Sequence, residues 1–161
     1  MSTDWQAWQY LLGEWEGGHE GDRGMGHGIF SFSFDLDENI LVRKNRTVFP
    51  ATAERAGYTH DDLLIIYSEY NGEKRAIYFD NEDHVIHYAV KVADDNKTIA
   101  LESDPVPSIP QFRFTYIHTG PDTLEARFEM TPPGQPGAFF TYLEGTARRI
   151  RTENMPVDHL K

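Results

Sequence analysis

The spacing of hydrophobic residues changes once along the chain, close to its amino terminus. Residues 4–12 carry apolar side chains at three- and four-residue intervals, which predicts a short helix that Thr3 or Asp4 caps and Gly13 ends. The apolar positions are Trp5, Trp8, Leu11 and Leu12. A helix of about two turns is not stable alone in water, so we expect it to pack its tryptophans over one end of a sheet structure.

Beyond Gly13 the apolar residues follow a period of two, which is typical of β-strands with one apolar face. Phe30, Phe32 and Phe34, for example, alternate with an isoleucine and two serines. The first predicted strand opens at Gly13, and the others cover residues 29–34, 40–49, 63–70, 75–80, 84–92, 98–103, 111–118, 123–130 and 139–150. We therefore predict nine or ten strands that follow one another as sequential hairpins.

Turn and loop sequences separate the predicted strands. Asn71-Gly72 is a strong hairpin signal, and residues 104–110 and 131–137 are rich in proline, which cannot donate to a sheet ladder. Residues 50–59 are predicted to form a further loop. A sheet with so many strands would leave long edges unpaired if it stayed open. The predicted fold is therefore an all-β, closed, antiparallel up-and-down barrel with a short N-terminal helix. Residues 1–150 form its single domain, and residues 151–161 are a polar C-terminal tail.

The faces of the central strands follow from the lengths of the hairpin loops. Loops of even length would place cross-strand partners on one face of the sheet. On that assumption the interior set is Leu64, Ile66, Ile77, Phe79, Ile86, Tyr88 and Val90. The opposite face then includes Ala76, Tyr78, Asp80 and His87.

The predicted interior is apolar but contains one guanidinium. Arg43 and Asn45 share a face with Phe30, Phe32 and Phe34 if the turn before residue 40 has an even length. A buried arginine needs a partner, which could be a ligand carboxylate or a protein carboxylate such as Glu102; an odd-length turn would instead place Arg43 outside. The sequence leaves these three interpretations open. The side chains expected to line a ligand cavity are Phe32, Arg43, Asn45, Tyr88, Phe114 and Tyr116.

Composition and charge narrow the range of partners. The 161 residues include 15 Lys and Arg against 26 Asp and Glu, a formal net charge of −11, which repels phosphate backbones and anionic lipid. We therefore expect neither nucleic acid nor a membrane surface as a partner. The chain has no cysteine, begins without the pattern of a signal peptide, and contains no apolar run of roughly 18 residues. These features predict a cytoplasmic protein, and a homodimer formed through sheet faces is compatible with them.

The seven histidines do not predict a metal site or a recognisable catalytic motif. His84 and His87 are three residues apart, so a strand would place them on opposite faces. The glycine-rich stretch that contains His19, Glu20, Asp22 and His27 is better explained as a solvated hairpin end than as a metal cluster. An enzyme would have to use His87 with Tyr78 and Asp80, or His84 with Asp83. We expect binding rather than catalysis.

Two segments at the ends of the predicted barrel carry a family resemblance. Gly13-Glu14-Trp15-Glu16-Gly17 directly follows the short helix and resembles the Gly-x-Trp signature of lipocalins and their calycin relatives. The resemblance implies that Trp15 closes one end of the barrel beneath a basic residue of the last strand. Arg148 and Arg149 are the candidates, and we assign this role to Arg148. The underlying interaction is a cation–π contact on an indole face.

Within that superfamily the order of elements most resembles the nitrobindin-like haem-binding barrels and related uncharacterised bacterial domains. The likeness runs from about residue 11 to residue 149 and is strongest in LLGEWEG and YLEGTARR. In nitrobindins a histidine followed by leucine on the last strand supplies the haem ligand, whereas this chain has Tyr142-Leu143. Tyr142 is therefore a further candidate ligand-binding residue, and we expect no tight binding of haem.

The sequence as a whole predicts a barrel that binds a small apolar or amphipathic molecule, with or without an acidic group. One alternative is a small barrel enzyme of the isomerase or hydrolase type that uses a cavity histidine. A second alternative is a haem-binding barrel with a non-histidine ligand.

Overall fold

The computed structural model describes residues 4–21 and 26–151, with side chains for all of these except residues 19–21. One 3₁₀-helix, Gln6–Leu11, precedes the strands. The strands are β1 Gly13–Gly21, β2 Gly26–Asp35, β3 Ile40–Phe49, β4 Tyr58–Ser68, β5 Lys74–Asp80, β6 Val85–Val92, β7 Thr98–Ser103, β8 Phe112–Gly120, β9 Thr123–Met130 and β10 Phe140–Arg149. No helix in these described ranges is long and apolar enough to cross a membrane.

The ten described strands form one closed barrel in which every neighbouring pair is antiparallel. Each strand pairs with the next along the chain, and β1 pairs with β10 to close the sheet. Closure leaves no strand edge unpaired. The need to pair every edge was also the reason for predicting a closed barrel from the sequence. The predicted fold class is thus confirmed.

The N-terminal helix is tighter and shorter than the predicted one. A 3₁₀-helix has three residues per turn, so the three-residue spacing of Trp5, Trp8 and Leu11 aligns these side chains on one face, and all three are buried. The Asp4 carboxylate accepts a hydrogen bond from the Gln6 amide at 3.0 Å, although Trp5 occupies the N-cap position. The proposed cap Thr3 lies outside the described residues. We call Gln6–Leu11 the plug helix.

The plug helix covers the end of the barrel at which β2 turns into β3. The Trp5 indole donates a hydrogen bond to the Glu38 carbonyl at 2.8 Å, and the Lys74 Nζ lies 4.5 Å from the centroid of the Trp5 ring. Tyr10 stacks on His118 of β8, with ring centroids 4.4 Å apart. One end of the barrel is therefore closed, and the loops that follow β3, β5, β7 and β9 lie at the other.

Strand β4 begins earlier than the sequence predicted, at Tyr58 instead of residue 63. Residues 58 and 59 were predicted as the end of a loop, and the polar residues 60–62 were assigned to no element. They occur within the strand because the facing part of β3 is polar as well: Asn45 pairs with Asp62, and Thr47 pairs with His60. Polar side chains of two strands thus satisfy one another on the interior face of the barrel.

The predicted faces of β5 were wrong, because two hairpin loops have odd lengths. Five residues, 69–73, lie between Ser68 and Lys74, the last pair of the β4–β5 ladder. Five residues, 80–84, likewise lie between Phe79 and Val85, the last pair of the β5–β6 ladder. Leu64 consequently pairs with Tyr78, so Tyr78 and Asp80 face the interior, whereas Ile77 and Phe79 face outward. The two shifts cancel at β6, where the interior faces of Ile86, Tyr88 and Val90 are as predicted.

Candidate functional site

A cavity of about 310 Å³ occupies the half of the barrel away from the plug helix. Its lining includes the last interior residues of several strands at the open end, such as Phe49 of β3, His60 of β4 and Met130 of β9. The complete lining is Phe30, Arg43, Asn45, Thr47, Phe49, His60, Asp62, Tyr78, Asp80, His84, Ile86, Phe112, Phe114, Tyr116, Ala126, Phe128, Met130, Tyr142 and Leu143. A volume of this size lies at the lower end of the range for small-molecule sites, which is roughly 300–1,000 Å³.

One wall of the cavity is aromatic and is formed by β8, β9 and β10. Phe128 lies at its centre: its ring centroid is 5.8 Å from that of Phe112 and 5.9 Å from that of Phe114. The register places these residues together, because Phe114 pairs with Phe128 and Phe112 pairs with Met130. The wall offers a flat apolar molecule extended ring surfaces.

The facing wall is polar and is formed by β3, β4 and β5. Arg43 Nη1 donates a hydrogen bond to Asp62 Oδ1 at 2.8 Å, and Asn45 Nδ2 donates to Asp62 Oδ2 at 2.8 Å. The side chains of Arg43 and Asp62 are only 7% and 4% exposed. Asp62 is therefore the partner of Arg43. Glu102, suggested from the sequence, instead accepts a hydrogen bond from Gln111.

Arg43 stays charged inside the barrel. Burial, the largest single influence, would by itself lower the pKa of its guanidinium, but Asp62 together with the nearby Tyr116, Tyr78 and Tyr88 raises that pKa above its ordinary value. Three aromatic rings surround the guanidinium, with Cζ 5.1 Å from the Phe114 centroid, 5.5 Å from that of Phe30 and 5.9 Å from that of Tyr116. These contacts add cation–π attraction to the ion pair.

Two polar atoms of the cavity wall have no hydrogen-bond partner. They are Nε of Arg43 and the hydroxyl oxygen of Tyr116, both buried. Burial raises the pKa of the Tyr116 hydroxyl above its ordinary value, so the hydroxyl remains a neutral donor at physiological pH. Buried polar groups are almost always satisfied, so this pair indicates a place where a bound molecule can supply the missing partner.

A chain of polar contacts links four residues at the mouth of the cavity. His60 Nε2 lies 3.0 Å from the Tyr78 hydroxyl, which donates a hydrogen bond to Asp80 Oδ2 at 3.2 Å. His84 Nδ1 lies 2.8 Å from the same Asp80 oxygen. Burial alone would raise the pKa of Asp80, but hydrogen bonds from the His84 amide and ring and the Glu82 amide lower it below its ordinary value.

The same region contains a set of metal-ligand types that the sequence analysis did not identify. His60, Asp80 and Glu82 each offer one ligand atom, and these atoms lie within 4.8 Å of one another. An imidazole and two carboxylates are a ligand set that zinc accepts. The set could not be recognised in the sequence because the odd-length loop 80–84 brings Asp80 inside, and because His60 lies between the predicted loop 50–59 and the predicted strand 63–70. Of the stretch suggested from sequence, Asp22 and the side chains of His19 and Glu20 lie outside the described part of the chain.

The predicted ligand-binding residues all lie on the interior face, but not all reach the cavity. Those that line it are Arg43, Asn45, Phe114, Tyr116 and Tyr142. Phe32 and Tyr88 are instead buried in the core, beneath the cavity lining. Phe32 makes an edge-on contact with Tyr116, with ring centroids 5.5 Å apart, and thus supports the lining without forming it.

The two histidines proposed for catalysis, His84 and His87, lie in different places in the structure, and only His84 lines the cavity. His87 is exposed on β6, in the ladder opposite the outward-facing Ile77, so it does not reach the cavity and is ruled out as a partner of Tyr78 and Asp80. His84 lines the mouth, and its carboxylate partner is Asp80 rather than Asp83. The second cavity histidine, His60, was missed from the sequence.

The closure of the barrel uses Arg149, not the predicted Arg148. The Arg149 guanidinium carbon lies 4.3 Å above the centroid of the buried Trp15 ring. Arg149 also donates hydrogen bonds to the backbone carbonyls of Tyr10, at 2.7 Å, and Leu12. Trp15 pairs with Arg149 in the β1–β10 ladder, which places both on one face, whereas Arg148 is exposed on the other.

The haem group that the nitrobindin resemblance implies does not match the residues of this cavity. Tyr142 is the extra residue of a β-bulge in β10, and its ring packs edge-on against Phe128 with centroids 6.0 Å apart. It lines the cavity, and where the resemblance implies an imidazole it provides a phenol. The cavity histidines, His60 and His84, lie across the barrel, and each contacts a carboxylate. The described residues therefore do not fit a histidine-ligated haem.

Solved structures of other proteins have a fold similar to that of this barrel. No known family model matches the chain, and no curated protein matches its sequence. The crystal structure of Rv2717c from M. tuberculosis has a TM-score of 0.63 and 19% sequence identity, covering 94% of this chain and 99% of that one. The S-type phycobiliprotein lyase CPES from Guillardia theta has a TM-score of 0.57 and 10% identity, covering 90% and 91%. At these identities the similarity shows a shared β-barrel fold.

Proposed function

We propose that this protein binds a small, largely apolar molecule in the open half of its barrel. The observation that carries the proposal is the cavity of about 310 Å³, in which an aromatic wall faces a polar wall. The polar wall is already held in place by the ion pair of Arg43 with Asp62 and by Asn45. Pre-organised polar groups in an otherwise apolar pocket are what fix the orientation of a small ligand. A binding barrel of this kind explains why the interior is not filled by its own side chains.

Titration with Nile red, a neutral dye whose fluorescence increases in apolar surroundings, tests the proposal. We expect saturable one-to-one binding to the parent protein. Ala126 lines the cavity, so Ala126→Phe should fill part of it and weaken dye binding at least about tenfold. Ala100→Phe is the matched control, because Ala100 lies on the outward face of β7 between the buried Ile99 and Leu101. The absence of dye binding would contradict the proposal, as would equal binding by the two variants when both remain folded.

Native mass spectrometry of protein purified from its own host would identify a retained ligand.

The cavity histidines favour a second candidate function, proton transfer on the bound molecule. His60 and His84 each lie beside a buried carboxylate, Asp62 and Asp80 respectively, which is an arrangement typical of general bases. A base of this kind removes a proton from the carbon next to a carbonyl, and solvent returns one to the same carbon.

Exchange of carbon-bound protons tests this second candidate. With 1-acetylnaphthalene in deuterium oxide, proton nuclear magnetic resonance should show loss of the methyl signal at a rate above that without protein. The rate should fall at least about tenfold in His60→Gln or His84→Gln. It should be unchanged in His118→Gln, since His118 stacks on Tyr10 at the closed end. Exchange no faster than in buffer would leave binding as the function.

A further inference from the structure

We propose that the cavity selects an uncharged ligand that carries a hydrogen-bond acceptor, such as a ketone, over the corresponding carboxylate. This inference rests on the proposed function and names its ligand class. It departs from the simplest interpretation of a buried arginine, which is that Arg43 awaits an anionic ligand. The contacts of Arg43, the fixed charges around it and the unsatisfied atoms of the lining together support a neutral acceptor.

The charge of Arg43 is already balanced within the protein. Its Nη1 lies 2.8 Å from Asp62, and both side chains are almost completely buried. The cavity lining contains a second carboxylate, Asp80, and no other arginine or lysine. A ligand carboxylate would therefore enter as a third anion opposite one guanidinium, in a largely apolar cavity where the repulsion between anions is screened less than in bulk water. The formal net charge of the chain, −11, opposes an approaching anion as well.

The unsatisfied atoms of the lining can donate hydrogen bonds, so a ligand would have to supply a hydrogen-bond acceptor. Arg43 Nε can only donate a hydrogen bond, and the Tyr116 hydroxyl can donate one. Both side chains line the cavity, and the Arg43 guanidinium lies 5.9 Å from the Tyr116 ring. A carbonyl, ether or ring nitrogen on the ligand would satisfy these donors without adding charge. A pure hydrocarbon would leave them unpaired, which costs binding free energy relative to the acceptor.

The surrounding rings define the rest of the ligand class. The guanidinium lies among Phe30, Phe114 and Tyr116, and the aromatic wall continues through Phe128 to Phe112. A flat ring system fits against this wall while its acceptor points toward Arg43 and Tyr116. The class that the cavity fits best is thus an aromatic ketone or a similar neutral aromatic acceptor.

Three probes of nearly equal shape test the inference by displacement of Nile red at pH 7.5. They are 1-acetylnaphthalene, which carries a neutral acceptor, 1-isopropenylnaphthalene, its hydrocarbon counterpart, and 1-naphthoate, its anionic counterpart. We expect the ketone to bind about tenfold more tightly than the hydrocarbon and at least about tenfold more tightly than the acid. Equal or tighter binding of the acid overturns the inference, as does equal binding of ketone and hydrocarbon. Failure of all three probes to displace bound Nile red also overturns the inference, whereas failure of Nile red itself to bind contradicts the proposed function.

Tyr116→Phe isolates the unsatisfied hydroxyl. The hydroxyl has no partner in the folded protein, so its removal should leave the fold intact. Affinity for the ketone should fall about fivefold, whereas affinity for the hydrocarbon should stay the same. Tyr10→Phe is the matched control, because Tyr10 belongs to the plug helix and should alter neither affinity. An equal loss for both probes would assign Tyr116 a packing role only and contradict the inference.

Asp62→Asn removes one negative charge from the cavity wall with little change in the shape of the side chain. The variant keeps an acceptor for Arg43 but removes the anion that neutralises it. We expect the acid to gain at least about tenfold in affinity, while the ketone changes less than about threefold. An acid affinity that does not rise in the folded variant would contradict the argument from charge. If this variant does not fold, the comparison of the three probes on the parent and on Tyr116→Phe decides the inference.

Discussion

At the scale of single residues, the barrel is distinguished by a charged group where a small barrel usually holds only apolar side chains. Arg43 is buried, yet its partner Asp62 also accepts a hydrogen bond from Asn45, so both oxygens of this carboxylate are used. Removal of one member of a buried ion pair leaves the other charge uncompensated and typically costs about 3–5 kcal/mol. The ion pair and its hydrogen bonds thus hold the polar wall of the cavity in place.

The carboxylate at the cavity mouth predicts how stability depends on pH. The pKa of Asp80 is lowered in the folded protein, so the unfolded chain binds the proton more tightly. The contribution of Asp80 to stability is therefore fully present above the unfolded pKa of about 4, and it is lost as the pH falls through the lower folded value. Urea unfolding between pH 7 and pH 3 should show this loss in the parent.

Asp80→Asn should make that acid-induced loss of stability smaller. The matched control is Asp83→Asn in the same loop, because that exposed carboxylate accepts none of the hydrogen bonds that hold Asp80. The control should follow the pH profile of the parent. Identical profiles for all three proteins would show that Asp80 does not contribute to acid sensitivity.

At the scale of elements, the two ends of the chain close the barrel together. The plug helix delivers the Leu11 carbonyl, which accepts a hydrogen bond from the Trp15 indole at 2.8 Å. Arg149 of β10 lies over the other side of that indole and binds the backbone around the helix end. The helix, β1 and β10 thus meet at one buried tryptophan, which explains how a helix too short to be stable alone keeps its place.

Trp15→Ala should cost about 3–5 kcal/mol of unfolding free energy, because it removes a fully buried aromatic side chain and the platform for Arg149. Chemical denaturation followed by circular dichroism measures this change. Tyr70→Ala is the matched control, since Tyr70 is 97% exposed, and its effect should stay within about 0.5 kcal/mol. A loss below about 1 kcal/mol for Trp15→Ala would show that this residue does not close the core.

At the scale of the whole molecule, the barrel is asymmetric along its axis. Its closed half contains the plug helix and a core with Trp8, Trp15, Leu41 and Leu124, all buried. Its open half contains the cavity, in which β3–β5 contribute charge and β8–β10 contribute rings. One fold can host unrelated functions, so any function of this cavity has to be argued from its lining residues rather than from the fold.

The cavity as a whole predicts that haem does not bind tightly. The last strand offers Tyr142 where the nitrobindin resemblance implies a histidine, and the facing wall is held by an ion pair of the protein itself. Titration with hemin should give no sharp one-to-one shift of the Soret band. A sharp shift that disappears in Tyr142→Phe would instead identify a haem protein with tyrosinate ligation. A shift gained only in Tyr142→His would indicate a shared scaffold whose present ligand is different.

The elements and their order could be predicted from the amino-acid sequence alone. The period of two, interrupted by turn residues and prolines, marked the strands, and the number of sequential hairpins required closure of the sheet. The even turn after β2 also placed Arg43 and Asn45 on the interior face correctly, as the pairing of Phe30 with Asn45 shows. These features could be predicted because they depend on local alternation and on the need to pair every strand edge.

Which polar residues share the cavity depends on how the strands pair in the folded protein, and the local sequence does not reveal it. A hairpin loop that is longer by one residue moves every side chain of the next strand to the opposite face, and local sequence does not fix the lengths of loops 69–73 and 80–84. Tyr78 and Asp80 were misplaced for that reason. His60 and Asp62 were missed because their polarity makes sense only opposite the polar part of β3, and Arg149 replaces Arg148 because closure of the barrel sets the register of β10 against Trp15. Each of these outcomes depends on contacts between strands distant from one another in the chain.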